Sequence, residues 1–476
     1  VTTYPLYLNG RFVSSGTALE VINPATAEPF ARMTTTDRAG LAMALEDAHR
    51  AFPPWRRLTG KARGAFLHAI ADQVESRRAD IATTITLENG KPLAQSQGEV
   101  TMTVDHLRWF AEEARRTYGR VVPNQVDGKR HLVIKSPMGV VGAISPWNFP
   151  LVLAARKVAP ALAAGCTVVL KPASQTPICA ALFAECVHAA GLPPGVFQTV
   201  VGPSSAFGDE LLSNPLCRKI TFTGSTEVGR VLIRGAAASI KPLSLELGGH
   251  APVLVFADAD LNLAVEGALA AKFRNTGQSC IAANRVLVER GIYEAFLEAF
   301  VAKARALKVG DGLEPGVDIG PLFDEAGVQK AIEHVEDAVA GGARLLCGGR
   351  RVAGSRGYFV EPTVLADVPP QSACMREETF APIAPVCAFD REEDAIELAN
   401  ASIYGLSAYA FTSNLDRAFR LMEGLESGTI GINDGVPSTS QCPFGGVKQS
   451  GWGRELGSEG LDAFLETKHV SMGLRV

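Results

Sequence analysis

From residue 131 onward, short β-branched runs alternate with segments of helical spacing. No other feature constrains the fold as strongly. The runs VVGAI (140–144), TVVL (167–170), VFQTVV (196–201), KITFT (219–223) and LSLEL (243–247) are separated by helical stretches near 151–164, 177–190, 204–212 and 226–238. This pattern predicts an α/β fold with a doubly wound, mostly parallel sheet. Right-handed crossovers then put ligands at the carboxyl ends of its strands. A second set follows: PVLVF (252–256), RVLVE (285–289), ARLLC (343–347), APVCAF (384–389), SAYAFT (407–412) and TIGIN (429–433). It predicts a second α/β unit with its own sheet. The boundary falls near ELGG (246–249), a glycine pair suited to a hinge. Upstream, residues 37–51, 61–89 and 97–117 have helical spacing, with Asp37 as a candidate N-cap. The run 121–136 and the tail 462–476 fit neither alternation, and would pair with each other or with another subunit.

With 476 residues, 47% of them hydrophobic, the chain can build large cores. No apolar stretch is long enough to span a membrane. A net charge of −4 gives no electrostatic case for nucleic acid or an anionic membrane. The nine cysteines are odd in number, scattered and without a C-x-x-C pair, which favours a reducing compartment over a disulfide framework. The opening VTTYPLYLNGRF has neither a basic nor an apolar leader region, so a cytoplasmic location is expected, or the mitochondrial matrix if a transit peptide was removed.

Three strands of the first set end in loops with candidate ligand-binding residues. In Pro146-Trp147-Asn148-Phe149-Pro150, two prolines pin the backbone around an amide. Asn148 either donates to a developing oxyanion or closes an Asx-type turn. In Lys171-Pro172-Ala173-Ser174, the lysine and serine either reach a phosphate or ribose or form an ordinary solvated loop. FTGSTEVG (222–229) joins glycine to a helix N-terminus, which favours a pyrophosphate, although it is not a G-x-G-x-x-G. Together the three loops favour a dinucleotide.

Cys166, Cys179, Cys186, Cys347 and Cys387 read as small core hydrophobes, while Cys217, Cys374 and Cys442 have turn-like settings. Cys280 ends the polar stretch NTGQSC (275–280) after an apolar helix. There a thiol can be exposed and held near helix-end dipoles that raise its thiolate fraction. Glu246 closes a largely apolar strand, so its pKa should be raised, as suits either a base acting through water or a buried ion pair. Asp258 and Asp260 read as helix capping. No metal site is expected.

Taken together, PWNFP (146–150), KPAS (171–174), FTGSTEVG (222–229), LELGG (245–249), GQSC (277–280), EETFAP (377–382) and PFGGVKQSG (443–451) resemble the aldehyde dehydrogenase superfamily, in order and over essentially the whole chain. The resemblance implies Cys280 as the nucleophile and Asn148, with the Cys280 N–H, as the oxyanion hole. Glu246 is implied as the base that hydrolyses the thioester. Trp147, Lys171, Ser174, Gly224, Ser225, Leu247, Glu378 and Phe380 are implied as cofactor contacts. NAD-preferring members often carry glutamate where Ser174 stands; serine beside Lys171 accepts a 2′-phosphate instead, so NADP is expected, with NAD also usable. Ala282 stands where a second cysteine is common, so no disulfide switch is expected.

AARKVAPALAAGCTVVLKPASQTP (154–177) and KFRNTGQSC (272–280) resemble the succinate-semialdehyde dehydrogenase branch most closely. That branch implies Arg156, Arg274 and Ser438 as the grip on a distal carboxylate. The residues agree: Arg156 lies in a helix apolar nearly all round, where an unpaired cation is costly. An internal salt bridge is the alternative for each arginine. VPSTSQ (436–441) departs from the usual pattern, leaving substrate chain length open.

The expectation is an NAD(P)-dependent oxidation of succinate semialdehyde. Glutarate or 2-oxoglutarate semialdehyde, a general aldehyde, or a non-catalytic protein of the same fold are the alternatives. The family architecture implies a Rossmann-type cofactor domain (1–120 and 138–247), a catalytic domain (248–440) and a β oligomerisation arm (121–137 and 462–476) in a homodimer or homotetramer.

Overall fold

A computed structural model describes residues 1–475. Its first sheet has eight strands, in the order Gly451–Trp452, Leu243–Glu246, Cys217–Thr223, Val140–Ile144, Thr167–Lys171, Phe197–Thr199, Leu6–Leu8, Arg11–Val13. The central five run parallel. The edges are antiparallel and come from distant parts of the chain. Strand order reverses between Val140–Ile144 and Cys217–Thr223, which opens a crevice at their carboxyl ends. The loops carrying Asn148 and Gly224 leave the sheet at that crevice.

The second sheet has seven strands, in the order Arg344–Cys347, Thr363–Ala366, Ile383–Phe389, Ala283–Glu289, Ala251–Val255, Ser407–Phe411, Thr429–Ile432. Thr363–Ala366 escaped the sequence pattern: four residues buried on both faces show no alternation. Residues 247–250 are the whole link between Leu243–Glu246 and Ala251–Val255. The carboxyl end of the first sheet therefore faces the amino end of the second. The expected hinge at Gly248 and Gly249 is better explained by crowding. A Cβ on Gly249 would lie 2.2 Å from the Cys280 carbonyl oxygen, and one on Gly248 would lie 3.0 Å from Glu378 Oε2.

Helices α1 (Arg38–Arg56), α2 (Gly60–Ser76), α3 (Arg78–Asn89) and α4 (Leu93–Glu113) precede the first sheet's parallel core. The single helix expected over 61–89 is broken at Arg77, whose φ of −106° and ψ of 19° are not helical. Residues 1–34 are not helix-rich but hold five short strands. Asp37 caps α1 by accepting from Gly40 N at 3.0 Å. Helices α5 (Val152–Ala164) and α6 (Ile178–Ala189) have no side-chain cap of their own. Buried glutamates from earlier helices supply the acceptors: Glu88 takes Ile178 N and Cys179 N, and Glu99 takes Leu151 N and Val152 N. Helices α7 (Ser204–Ser213), α8 (Thr226–Ala237) and α9 (Leu261–Phe273) complete the framework around the crevice.

Leu465–Gly473 pairs antiparallel with Lys129–Pro137 along its full length, and Arg120–Val122 completes a separate three-stranded sheet. The run and the tail thus meet each other. Among the described residues no helix is long and apolar enough to cross a membrane.

Candidate active site

The chain turns sharply after α9. Asn275, Thr276 and Gly277 all have positive φ (51°, 57° and 74°), in a turn of 3₁₀ type that delivers Cys280 to the mouth of the second sheet. Two non-glycine residues in the left-handed region cost of order 1–3 kcal/mol each, a strain typical of functional sites. Glycine is needed at 277, because a Cβ there would sit 2.3 Å from Ala381 O.

Two cavities meet at Cys280. On one side a space of about 210 Å³ is lined by Trp147, Asn148, Gly224, Ser225, Leu247, Glu378 and Phe380. Trp147 stacks on Phe323 at 4.4 Å and meets Phe380 edge-on at 5.6 Å. Phe380 itself has φ of 55°. Glu378 accepts from Gly249 N at 3.0 Å, and burial pushes its carboxyl up to about 7. Ser225 uses its hydroxyl to cap α8 through Val228 N, so what it offers a ligand is the helix's N-terminal N–H groups. A Cβ on Gly229 would press into Leu247 at 2.7 Å, so glycine there lets α8 close down on the cavity wall.

Lys171 is buried, and its Nζ touches only Pro172 O at 3.4 Å; desolvation pulls its ammonium down to about 8. Ser174 does not line the 210 Å³ cavity. It faces an open groove with Thr17, Thr36, Gly202 and Ser204. An aromatic-walled cavity, a helix N-terminus at the switch point and a buried cation without a counter-ion among the described residues together suit an extended dinucleotide.

On the other side of Cys280 lies a narrow cleft lined by Met102, Phe149, Arg156, Arg274, Ser438 and Phe444. Its free space is about 30 Å³, room for little beyond ordered water. Arg156 lies over the Phe444 ring at 4.8 Å and donates to Ser438 Oγ at 3.2 Å; its Nε has no partner. Arg274 lies over Phe149 at 5.4 Å. Burial lowers the pKa of both guanidinium groups, yet among the described residues neither meets a carboxylate. Asp105 accepts a hydrogen bond from Ser440, tying the Ser438 loop to α4.

Asn148 does not close a local turn. Its Nδ2 donates to Gln278 O at 3.1 Å, across the junction of the two sheets. Glu246 is buried at the end of its strand, with Oε2 unpartnered. Burial, then neighbouring Glu455, hold its carboxyl well above the ordinary range, against the pull of Lys157, Arg454 and Arg156. A Cβ on Gly445 would lie 2.8 Å from Glu246 Oε1, so that oxygen points at the 443–446 loop. Glu246 lines neither cavity and has no hydrogen bond to Cys280. Lys157 bonds Thr223 Oγ1 and Glu455 Oε1, each at 2.6 Å.

The cysteine expectations need correction. Cys280 is only half-buried as a residue, but its thiol is pushed up to about 12, first by desolvation and then by Glu378; Arg156 only partly offsets this. At rest it is a thiol, not the activated thiolate expected from helix dipoles. Cys217 opens a buried strand and Cys374 is also buried, whereas Cys347 and Cys387 are partly exposed. Asp260 caps α9 through Leu263 N, and no metal-binding cluster occurs among the described residues. Met102, Lys157 and Glu455 were missed. Lys157 was within reach: it sits beside Arg156 in the same apolar helix, and the same argument flags both.

The aldehyde dehydrogenase family profile matches residues 12–470. The chain belongs to the aldehyde dehydrogenase family. It is 48% identical over 470 residues to the NADP-dependent succinate-semialdehyde dehydrogenase GabD of Escherichia coli, covering 98% of this chain and 97% of that one. It is 46% identical over 470 residues to a glutarate-semialdehyde dehydrogenase of Pseudomonas putida, with the same coverage. Among solved aldehyde dehydrogenase-like structures, an NADP-dependent Escherichia coli enzyme superposes with a TM-score of 0.98 at 47% identity, covering 99% and 98% of the two chains.

Proposed function

We propose that this aldehyde dehydrogenase oxidises a short aldehyde with a distal carboxylate, succinate semialdehyde first, and prefers NADP to NAD. One observation carries the substrate reading: buried Arg156 and half-buried Arg274 line the cleft that ends at Cys280, and among the described residues neither meets a carboxylate. A buried cation without a partner is costly, and a bound carboxylate removes that cost. Ser438 completes the grip.

With the carboxylate held, the aldehyde carbon lies near Cys280. The sulfur adds to it as the thiol proton passes to water in the cleft, giving a thiohemiacetal oxyanion. Asn148 Nδ2 spends one hydrogen on Gln278 O and has a second for that oxygen; the Cys280 N–H is the partner donor. Trp147, Leu247, Glu378 and Phe380 would hold a nicotinamide ring in the 210 Å³ cavity, where it would supply the hydride acceptor. Cys280 is left as a thioester. Glu246, which burial makes a stronger base than a free carboxylate, turns from Gly445 toward the sulfur side and takes a proton from water; the acid leaves the thioester and the proton returns to the sulfur to restore the thiol. Lys171 and Ser174 are assigned to the 2′-phosphate end of the cofactor. Their removal from the catalytic cavity fits a dinucleotide laid out along the sheet edge.

Glutarate and 2-oxoglutarate semialdehydes are the second reading, since the same arginines serve a chain one carbon longer and the Pseudomonas putida relative carries the first in its name. We assign 1–120 and 138–247 to cofactor binding, 248–440 to catalysis, and the sheet of 121–137 and 462–476 to pairing between subunits. Gly451–Trp452 closes the edge of the cofactor sheet.

The test is steady-state nicotinamide reduction with succinate semialdehyde, glutarate semialdehyde and butanal, using NADP and NAD in parallel. The expected outcome is a large kcat/KM advantage for succinate semialdehyde with NADP, and no turnover in Cys280→Ala. Equal kcat/KM for butanal defeats the carboxylate reading.

A further inference from the structure

The Asn148 loop cannot hold its own shape. Pro146 and Pro150 remove two backbone donors, and the loop's carbonyls are bonded from outside by the segment that joins α3 to α4. Asn89 Nδ2 donates to Trp147 O at 3.1 Å. Lys91 Nζ donates to Asn148 O at 2.8 Å and to Glu99 Oε2 at 2.6 Å. The ammonium also sits 3.8 Å from the centre of the Phe149 ring. Both members of this ion pair have no exposed side-chain surface. The other oxygen of Glu99 accepts from Leu151 N at 2.9 Å and Val152 N at 3.1 Å, the uncapped start of the helix that carries Arg156. One turn away on the same face of α4, Gln95 Oε1 accepts from Asn275 N at 2.8 Å, in the turn that delivers Cys280.

A fully buried ion pair is a poor choice for stability alone, since an apolar pair of similar volume is often as stable or more so. This one is attached to the carbonyl of the residue whose amide must meet the oxyanion, and to the helix that bears the carboxylate grip. We propose that Lys91, held by Glu99, is a positioning residue that fixes the Asn148 amide at the height and angle the oxyanion requires. The proposal rests on the reading of Asn148 as the oxyanion donor. Lys91 touches neither aldehyde nor cofactor; its charge-assisted bond stiffens the Asn148 peptide against rotation. Asn275 Nδ2, the second donor to the same oxygen at 2.9 Å, couples that peptide to the nucleophile turn.

The test compares Lys91→Met/Glu99→Gln, Asn148→Ala and the triple variant in the full-length enzyme. The double change removes both charges at once and keeps a side-chain acceptor for Leu151 N and Val152 N, so its Tm is expected near the parent's. Its single-turnover hydride-transfer rate is expected to fall about tenfold to a hundredfold, as misplaced catalytic groups do. The loss should be equal for succinate semialdehyde and butanal, with the semialdehyde KM within about twofold of the parent's, because the carboxylate grip is intact. In the Asn148→Ala background the double change should add less than about a further twofold, since no amide is left to position. A parental rate in the double variant overturns the proposal, as does a full multiplicative loss on top of Asn148→Ala. If Asn148→Ala itself runs at parental speed, the oxyanion reading falls and this inference with it. Should the double variant fail to fold, Lys91→Gln, shorter and neutral, carries the same comparison.

Discussion

Arg156 and Lys157 are neighbours on one buried helix, and the protein treats their charges in opposite ways. Lys157 turns to the side that holds Glu455 and meets its carboxylate at 2.6 Å. Arg156 turns to the cleft, where it finds an aromatic face and a hydroxyl but no anion. The first charge is neutralised inside the chain; the second meets no carboxylate among the described residues. Other buried cations sort the same way. Lys91 has Glu99, whereas Arg274 and Lys171 border spaces a substrate or cofactor can fill. Lys272 shows a third solution. It is fully buried, has no hydrogen-bond partner among the described residues and borders no cavity identified at the site, and desolvation pulls its ammonium down to about 7, so it gives up its charge far more readily than a free lysine.

The largest expected effect is a difference of sign on α5. Lys157→Met strands Glu455 and should cost about 3–5 kcal/mol, whereas Arg156→Met removes an unpaired buried charge and should raise Tm. Arg156→Met should at the same time lower kcat/KM for succinate semialdehyde by about 10²–10³, and far less for butanal. Denaturant melts with steady-state kinetics measure both. If Arg156→Met destabilises as much as Lys157→Met, the two charges are equivalent and the comparison fails.

The thiol sharpens the comparison, because Arg156 is among the charges that pull its pKa down. With that pKa near 12, inactivation by iodoacetamide should rise about tenfold per pH unit from 7 to 10, without a plateau. Arg156→Met should slow inactivation further at each pH. A plateau near pH 8 would mean that burial of the thiol has been overestimated.

Lys171 extends the argument to the cofactor. Its folded pKa near 8 lies below that of a free lysine, so its charge is present below pH 8 and lost above it. NADP affinity, followed by fluorescence titration, should weaken as pH rises from 7 to 9, and Lys171→Ala should flatten that dependence relative to NAD. The smallest effect belongs to Ser438→Ala, which removes the hydroxyl that accepts one hydrogen bond from Arg156. It should raise KM for the semialdehyde about three- to tenfold with kcat nearly unchanged.

Much of this was legible in the residues. Parallel-sheet strands buried on both faces read as continuous apolar runs, so the central strands and the loops after them could be placed from pattern alone. Cys280, Asn148 and the two arginines were then singled out by the family resemblance that their motifs carry, and the structure brings them together. What pattern could not give was the environment of each group. Cys280 looked exposed and activated, but burial raises its pKa, and the charges around it, Glu378 and Arg156 among them, come from distant parts of the chain. The glycines after Glu246 looked like a hinge, yet it is contact with Cys280 and Glu378 that requires them. Ser174 was expected with Lys171 at the 2′-phosphate, and only the structure shows that it faces a groove apart from the 210 Å³ cavity. Lys157 and Glu455 lie about 300 residues apart, and nothing local announces their bond.

The cofactor sheet is sewn shut by strands from opposite ends of the sequence, Leu6–Leu8 with Arg11–Val13 on one margin and Gly451–Trp452 on the other. Domains generally fold as units during synthesis. On the ribosome, this sheet must wait for residues past 450, and Lys157 waits with it for Glu455. A nascent chain therefore cannot complete this sheet margin or the Lys157–Glu455 pair until its last residues are made.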